Sequence, residues 1–292
     1  MATTKKAAAR PLAARPKPSA AVKDDALERL GVEEISAATI QPYHRWLIYA
    51  EPGTGKTSVI ATSPRCFIID ADHNSDVVVA RGLKAHRKLV SDWQDMDDIL
   101  EYFRAGGTSK FDWVWLDTIT LFQDRGLSSI MEDLASNRAN RLRWAPDKGE
   151  YGQNMNRLMD WIRDMSKLPI NFGITAHVMR YTSPTTEEEL LVPMVTQKNM
   201  PDKVCGYMTL VGLLTKRSIG DGQQSELALH TVKTASYYAK EPWGAIGTMK
   251  DPTIPKMLAR IDAKIAAAKA RSTTATPTKT PVKKAAAAAK KG

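Results

Sequence analysis

The sequence predicts an α/β fold in which a mainly parallel central sheet is flanked by helices. Apolar runs that suit buried strands alternate with segments in which apolar residues recur at helical spacing. A glycine-rich turn joins the first apolar run to a helix. Strands that are apolar throughout are typical of a parallel sheet covered on both faces. The 292 residues are 43% hydrophobic and 25% charged, which allows one large globular domain.

Strands and helices alternate in order along the predicted fold. The apolar runs predict strands at Leu47–Ala50, Cys66–Ile69, Trp113–Leu116 and Ile170–Ala176. Two further strand-like segments follow at Gly206–Thr215 and Leu227–Thr234. Helical patterns occupy Asp76–Leu89, Met96–Phe103, Tyr151–Lys167 and the stretch from near Thr253 onwards, and a short helix is expected within Asp24–Thr39.

The chain divides into three parts by composition. Residues 1–35 are predicted to be a disordered basic arm, residues 36–262 the folded domain, and residues 263–292 a disordered tail rich in Ala and Lys. The basic residues contribute +6 within residues 1–23 and +8 within residues 264–292. Since the net charge of the whole chain is +10, the body between these segments carries a charge of −4. Uniformly basic ends favour contact with nucleic-acid phosphates, and a purely solubilising role is the alternative.

The sequence predicts a cytoplasmic protein. No run approaches the roughly 18 apolar residues of a membrane span, and the basic N-terminus lacks the apolar segment of a secretory signal. Cys66 and Cys205 lie far apart and without metal-ligand spacing, which indicates a reducing compartment and no disulfide framework. No membrane partner is expected.

The turn after the first strand has the pattern of a phosphate-binding P-loop, with Ala50 where the first glycine usually stands. Its glycines let backbone N–H groups face phosphate oxygens, and the following helix adds the positive end of its dipole. Lys56 is predicted to reach the β- and γ-phosphates, and Thr57 to hold Mg²⁺. The residues predicted to bind ATP are Ala50, Glu51, Pro52, Gly53, Thr54, Gly55, Lys56, Thr57 and Ser58.

Acidic and imidazole side chains stand at the ends of three other predicted strands. Asp70 and Asp72 follow the second strand, Asp117 ends the third, and His177 follows the fourth. Parallel strands bring their carboxyl ends to one edge of the sheet, so these groups are expected beside the P-loop. Asp117 is predicted to be the second Mg²⁺ ligand, because a carboxylate after a buried strand holds this ion in P-loop proteins.

The stretch Cys66-Phe-Ile-Ile-Asp-Ala-Asp-His73, followed by Ala80-Arg-Gly-Leu, resembles the part of bacterial RecA recombinases that carries the catalytic Glu. The resemblance covers roughly residues 40 to 260 and is nearest to the RecA-like P-loop ATPases of bacteriophages, which act as recombinases or assist single-strand annealing. The other matching pieces are Leu116-Asp-Thr118, Tyr151-Gly152, Ile174-Thr-Ala-His177 and Ala239-Lys240. It implies that residues 36–262 form a RecA-like ATPase domain.

This resemblance assigns catalytic roles to Asp72, Lys56, His177 and Lys240. Asp72 stands in the place of the Glu that deprotonates the attacking water, with Asp70 as the other candidate and capping of the next helix as the structural alternative. His177 replaces a Gln that senses the γ-phosphate, or else it serves as a structural cap. Lys240 lies near the place of a cation that completes the site of a neighbouring subunit; a role within its own chain and plain surface exposure are the alternatives.

Two loops hold single-stranded DNA in RecA proteins, and they match Asn137–Tyr151 and Met179–Val204 here. The first loop mixes cations with an aromatic residue, which suits phosphate pairing and base stacking: Arg138, Arg141, Arg143, Trp144 and Lys148. A solvated face with a packing Trp is the alternative reading. Glu187–Glu189 in the second loop would repel phosphates.

The sequence therefore predicts an ATP-hydrolysing protein, stimulated by DNA, that binds single-stranded DNA in phage recombination or replication. It is expected to form a homo-oligomeric ring or filament and to work with a single-strand-binding protein. One alternative is an annealing factor for which the nucleotide is only a structural switch, since Asp72 is shorter than Glu. The other is a P-loop nucleotide kinase in which Arg138–Arg143 serves as the lid.

Overall fold

The computed structural model of the chain describes residues 29, 31, 32, 43–138, 142, 144–182, 189–195, 200–219 and 224–274. Its contacts divide the chain into two units, residues 1–40 and 41–292. Only residues 29, 31 and 32 of the first unit are described, so the predicted N-terminal arm and the helix expected within Asp24–Thr39 lie almost wholly outside the described residues. The fold below is that of the second unit.

One sheet of nine strands forms the centre of the part of this unit that the structure describes. The strands are β1 (Arg45–Ala50), β2 (Cys66–Asp70), β3 (His86–Leu89), β4 (Trp113–Asp117), β5 (Asn171–Thr182), β6 (Glu189–Pro193), β7 (Leu210–Ile219), β8 (Gln224–His230) and β9 (Thr248–Lys250). Their order is β3-β2-β4-β5-β1-β7-β8-β9, with β6 paired to β5. The strands from β3 to β7 along this order run parallel, whereas β6, β8 and β9 are antiparallel to their neighbours. The predicted mainly parallel sheet is confirmed.

Helices cover both faces of the sheet. They are α1 (Lys56–Ile60), α2 (Val77–Ala80), α3 (Trp93–Arg104), α4 (Ile119–Asn137), α5 (Lys148–Lys167), α6 (Met200–Tyr207) and α7 (Ile254–Thr274). Side chains alternate across a strand, so Leu47 and Tyr49 of β1 join the core under α3–α6 while Trp46 and Ile48 join the core under α1, α2 and α7. None of the helices in the described ranges has the length and apolar character needed to cross a bilayer.

The strand order brings the predicted site residues to one edge. β5 lies between β1 and β4, so Ala50 at the end of β1 is paired with His177 of β5. β2 lies on the far side of β4, and Asp70 is paired with Asp117. The last residues of β1, β2 and β4 therefore lie at the level of Thr175–His177 of β5, next to the P-loop, and β5 itself continues to Thr182.

Arg45 fixes the other end of β1. Its guanidinium donates five hydrogen bonds of 2.6–2.9 Å to backbone carbonyls, which belong to His44, Ser166, Leu168 and Ile170. Ser166 and Leu168 are at the C-terminus of α5, where carbonyl groups lack partners within the helix. The cation therefore joins the strand that leads into the P-loop to the end of a helix on the sheet.

The helix predicted for Asp76–Leu89 is wrong for most of its length. Only Val77–Ala80 is helical, and Gly82, with φ of +66°, turns the chain out of the helix. His86–Leu89 then forms β3, which pairs with β2 at the end of the described sheet. Its four residues are all exposed, so the strand shows no alternation of apolar and polar residues by which sequence could have identified it.

Two other segments differ from their predictions. α7 continues to Thr274, so residues 263–274 of the predicted disordered tail are helical, consistent with their high Ala content; the remaining residues 275–292 lie outside the described part. Within the predicted loop Met179–Val204, β5 extends to Thr182 and pairs with β6, and α6 begins at Met200. Glu187 and Glu188 of this stretch lie outside the described residues.

Candidate active site

The P-loop forms a tight turn between β1 and α1. Gly53 and Gly55 have φ of +73° and +111°, values that side-chain-bearing residues rarely adopt. The N–H and hydroxyl groups of Thr54 both donate to the carbonyl of Glu51, at 3.3 Å and 2.7 Å. Pro52 to Ser58 line a cleft of about 800 Å³, whereas Ala50 and Glu51 of the predicted set are not among its lining residues.

Lys56 is folded back over this turn. Its ammonium donates to the carbonyls of Ala50 at 3.2 Å and Glu51 at 3.3 Å, and the side chain is buried. Burial lowers the pKa of Lys56, an effect that the nearby carboxylates of Asp117 and Asp72 partly oppose. A phosphate group that enters the turn can replace the two carbonyls as the partner of the ammonium.

Asp117 and Thr57 meet at the base of the cleft. The Thr57 hydroxyl donates to Asp117 Oδ2 at 2.6 Å, and the Thr175 hydroxyl donates to Asp117 Oδ1. Burial raises the pKa of Asp117, whereas the hydrogen bonds from Thr175 and Thr57 lower it. The described residues contain no cluster of three or more His, Cys, Asp or Glu side chains suited to a metal. One carboxylate beside one hydroxyl fits a Mg²⁺ ion that takes its remaining ligands from phosphates and water.

Asp72 lies in the loop that follows β2 and lines the same cleft. Its Oδ1 is buried and has no hydrogen-bond partner in the described structure. Burial raises the pKa of Asp72 to about 7, with further increases from the charges of Asp117 and Asp70. A carboxylate that accepts a proton near neutral pH is suited to general-base chemistry.

Asp70, the other candidate base, has a different environment. It is fully buried, is not among the cleft-lining residues, and binds the N–H and hydroxyl of Ser75 through Oδ2. Arg87 lies 3.9 Å from the same oxygen. Asp70 therefore holds the loop that carries Asp72. Neither Asp72 nor Asn74 caps α2, because the N-cap residue is Asp76 and it makes no side-chain capping bond.

His177 lies within β5, beside the end of β1, and lines the cleft. Its backbone N–H donates to the Thr120 hydroxyl at 2.9 Å, and that hydroxyl donates to the carbonyl of Met194 at 3.0 Å. Met194 N–H donates back to the carbonyl of His177 at 2.7 Å. Burial and the charge of Lys56 lower the pKa of His177, so the imidazole is neutral at pH 7. The residue therefore lines the cleft, while hydrogen bonds connect its backbone to Met194 just after the β5–β6 hairpin.

Lys240 is not brought to this cleft. Its ammonium donates to the carbonyls of Met208 at 2.8 Å and Cys205 at 3.4 Å. Both carbonyls lie just before β7 begins, whereas the P-loop lies just after β1 ends. Since β1 and β7 are parallel neighbours, these two places are at opposite ends of the strands. The structure thus gives Lys240 a structural partner within its own chain and places it towards the opposite edge of the sheet from the P-loop.

The predicted DNA-binding residues are described only in part. Arg138 follows the last residue of α4, Lys148 begins α5, and both are exposed. Trp144 between them is 73% exposed, which excludes a packing role for its side chain within the described part of the chain. Arg141 and Arg143 lie outside the described residues.

The sequence reasoning missed three groups that serve the site. Thr175 holds Asp117, Thr120 links His177 to the hairpin, and Arg81 lines the cleft. Polar residues within an otherwise apolar strand end, as in Ile174-Thr-Ala-His177, are a signal that could have identified Thr175. Arg81 gave no comparable signal, because its place in the cleft depends on the turn at Gly82.

Comparison with known families decides the class of this site. A family model described as an AAA domain matches residues 43–243. The chain belongs to this AAA-domain family. This AAA-domain protein is a nucleotide-binding P-loop ATPase, which confirms the P-loop ATPase family that the sequence predicted. Its mainly parallel sheet flanked by helices confirms the predicted fold class, and the predicted phage origin stays a prediction. The comparison with curated proteins gives no match.

The solved structures that are similar to this AAA-domain chain include the following three. The RadB recombinase has 12% identity and a TM-score of 0.39 over 64% of this chain and 79% of that one. The KaiC-like protein PH0186 of Pyrococcus horikoshii OT3 has 10% identity and a TM-score of 0.38 over 72% and 89%. The flagellar accessory protein FlaH of Methanocaldococcus jannaschii has 10% identity and a TM-score of 0.37 over 80% and 94%.

Proposed function

We propose that this protein hydrolyses ATP and couples hydrolysis to the binding of single-stranded DNA in phage recombination or replication. The observation that carries the proposal is the partnerless, buried oxygen of Asp72 in the same cleft as Lys56 and the Thr57–Asp117 pair. A base, a phosphate-binding cation and an oxygen pair for Mg²⁺ are the parts that phosphoryl transfer to water requires.

Each group has one step in the proposed reaction. Lys56 leaves the carbonyls of the turn and binds the β- and γ-phosphate oxygens. This contact holds the nucleotide in line for attack. Thr57 and Asp117 would hold Mg²⁺, which neutralises charge on the phosphate oxygens when bound. Asp72 orients a water and accepts its proton as the oxygen attacks the γ-phosphate. His177, neutral at pH 7, donates a hydrogen bond from its ring to the γ-phosphate.

The DNA part of the proposal is supported by charge and exposure. Arg138 precedes and Lys148 follows the exposed Trp144 along the chain, and in this proposal the cations pair with phosphates while a base stacks on the indole. The basic N-terminal and C-terminal segments add long-range attraction to the phosphates. On this proposal the protein acts as a homo-oligomeric ring or filament in the host cytoplasm, together with a single-strand-binding protein.

The hydrogen bonds around His177 supply a physical link between the two activities. His177, Thr120 and Met194 form a closed set of three bonds, so a shift of His177 towards a γ-phosphate displaces the β5–β6 hairpin. In the proposed mechanism this hairpin is the second DNA contact, and its position reports whether ATP is bound.

Phosphate release from ATP, measured with and without single-stranded DNA, tests the proposal. We expect Mg²⁺-dependent release that DNA raises by about tenfold or more, and loss of release in Lys56→Ala. Lys110→Ala, which changes an exposed Lys outside the cleft, is the matched control. Release that DNA leaves unchanged, with DNA binding intact, would instead identify the nucleotide as a structural switch. Transfer of phosphate to a nucleoside monophosphate would identify a kinase.

The salt dependence of DNA binding tests the basic segments separately. A chain that lacks residues 1–23 and 275–292 retains α7 and loses six and five basic residues at its two ends. We expect a shallower fall of affinity with salt, because fewer counterions are released. An unchanged slope removes both segments from the DNA contact.

A further inference from the structure

The cleft continues beyond the phosphate-binding turn. One boundary is formed by Val77 of α2 and by Arg81 just after it; the other includes Leu227 of β8 and the segment Asp251–Thr253 that leads into α7. β2, which precedes α2, and β8 lie on opposite sides of β1 in the sheet, so these two boundaries enclose α1 between them. Neither boundary takes part in the reaction described above.

Asp251 has a left-handed backbone conformation at this boundary. Its φ is +44°, in the left-handed region that residues other than Gly, Asn and Asp seldom occupy. Its N–H donates to the carbonyl of Leu227 at 2.8 Å, and the ammonium of Lys256 donates to its carbonyl at 3.1 Å. The N–H of Ile254 donates to the Thr62 hydroxyl at 2.9 Å, which ties the segment to the end of α1. Hydrogen bonds to Leu227, Lys256 and Thr62 thus fix the backbone of this segment.

The carboxylate of Asp251 makes no contact that would stabilise the fold of the described residues. It is exposed and makes no hydrogen bond or ion pair with any of them, since Lys256 binds the backbone carbonyl instead. The neighbouring Pro252 is buried and Leu227 is half-buried, and both line the cleft. Binding sites for flat, partly polar rings such as nucleobases combine apolar surface with a hydrogen-bond acceptor in a fixed position, and this segment offers both.

We propose that the segment Asp251–Thr253 forms the base-binding end of the nucleotide site, with the Asp251 carboxylate accepting a hydrogen bond from an amino group of the nucleobase. The inference rests on the proposed function. α1 spans five residues, roughly 7.5 Å at 1.5 Å per residue. With the phosphates at the start of α1, the nucleoside lies alongside this short helix and reaches the level of Thr62, to which the segment is tied.

An ionised carboxylate only accepts hydrogen bonds, so it selects bases that offer an N–H donor. Adenine carries a 6-amino group and guanine a 2-amino group, and both present the same chemistry to Asp251. Each has an analogue that lacks only that group: purine riboside triphosphate for ATP, and inosine triphosphate for GTP. The pair that shows discrimination therefore identifies the base.

The test is a competition measurement of Kd for these four nucleotides, with Mg²⁺ and the full-length chain. Asp251→Gly removes the carboxylate and accepts the positive φ without strain, whereas Ala would not. We expect the wild type to favour the amino-bearing member of one pair by about tenfold, the effect of one hydrogen bond to a charged group. Asp251→Gly should reduce that ratio to within about twofold and leave the affinity for the analogue unchanged.

Asp262→Ala, which removes an exposed carboxylate of α7 that does not line the cleft, is the matched control and should keep the wild-type ratio. A wild type without preference in either pair, or a ratio that Asp251→Gly leaves unchanged, overturns the inference. Failure of the proposed function gives a different result, because Lys56→Ala would then have no effect on any of the four affinities.

Discussion

Thr57 and Asp117 are joined by a hydrogen bond of 2.6 Å between hydroxyl and carboxylate, although one follows β1 and the other ends β4. β5 stands between these two strands, and its Thr175 donates to the second oxygen of Asp117. The carboxylate is thus oriented from both sides. Both predicted Mg²⁺ ligands are already in contact with each other, so binding of the ion requires little rearrangement of the protein.

Thr57→Val tests this pair. The substitution leaves the buried Asp117 Oδ2 without its donor, so we expect the free energy of unfolding to fall by about 1–3 kcal/mol in urea denaturation. Mg²⁺ should also lose most of its effect on ATP affinity in a titration with the ion. Thr57→Ser keeps the hydroxyl and should behave as the wild type. Unchanged stability of Thr57→Val would show that the hydrogen bond contributes nothing.

Asp72→Asn should separate binding from hydrolysis. The amide keeps the size of the side chain but cannot accept the proton of the attacking water, so kcat should fall by about 10²–10⁴-fold. ATP affinity should stay within about threefold of the wild type, because Lys56 and the P-loop backbone are unchanged. Asp76→Asn, at the start of α2, is the matched control. Normal turnover by Asp72→Asn would exclude Asp72 as the base.

The same variant should change the pH dependence of stability in the nucleotide-free protein. The pKa of Asp72 rises from 3.8 to about 7 on folding, so folding favours the protonated acid. Its contribution is fully present below pH 4 and is lost as the pH rises through 7. Since the carboxyl is partly exposed, we expect Asp72→Asn to be more stable than wild type by only about 1–2 kcal/mol at pH 8, and equal to it near pH 4.

Denaturation curves of both proteins at the two pH values provide the measurement. Asp124→Asn changes an exposed carboxylate of α4 and should leave the pH dependence as it is. Equal stability of Asp72→Asn and wild type at pH 8 would mean that Asp72 is as well solvated in the folded chain as in the unfolded one.

Arg45→Met should be among the most destabilising substitutions outside the cleft. It leaves the carbonyls of Ser166, Leu168 and Ile170 without their guanidinium donor, and we expect a loss of about 3–5 kcal/mol in urea denaturation. Arg104→Met breaks an exposed ion pair with Asp164 and should cost at most about 1 kcal/mol. Similar losses for the two variants would contradict the role given to Arg45.

Trp144→Ala tests the DNA contact. Loss of one stacking platform should weaken single-stranded DNA binding by about tenfold without changing ATP hydrolysis in the absence of DNA. DNA should also quench a part of the tryptophan fluorescence in the wild type that the variant lacks, because Trp144 is 73% exposed. Tyr102→Ala, an exposed aromatic of α3, is the control. Equal affinity of Trp144→Ala and wild type would place the DNA elsewhere.

The sequence predicted those parts of the site that depend on local pattern. The P-loop requires glycines at fixed places, and buried parallel strands are apolar up to the polar residue that ends them. Asp72, Asp117 and His177 could therefore be assigned to one edge before the order of the strands was known. The structure distinguishes Asp70 from Asp72 because one carboxylate is enclosed by Ser75 and the other faces the cleft.

Features that depend on distant parts of the chain could not be predicted in this way. Lys240 matched a motif, but the carbonyls at the end of α6 determine where its ammonium lies. His86–Leu89 forms β3 and not the predicted helix, because pairing with β2, and not its own sequence pattern, makes it a strand. Asp251 follows a three-residue strand and gives no signal in sequence; only its φ and its place beside α1 draw attention to it.

The hydrogen bonds from Lys56 to the carbonyls of its own turn affect which anions can bind there. A small ion such as chloride must break these contacts for the gain of a single weak interaction, whereas a triphosphate offers many oxygens to the ammonium and the backbone at once. Small anions therefore bind weakly to the phosphate-binding turn. The Lys56 ammonium leaves the two carbonyls only for a ligand with enough oxygens to replace both hydrogen bonds.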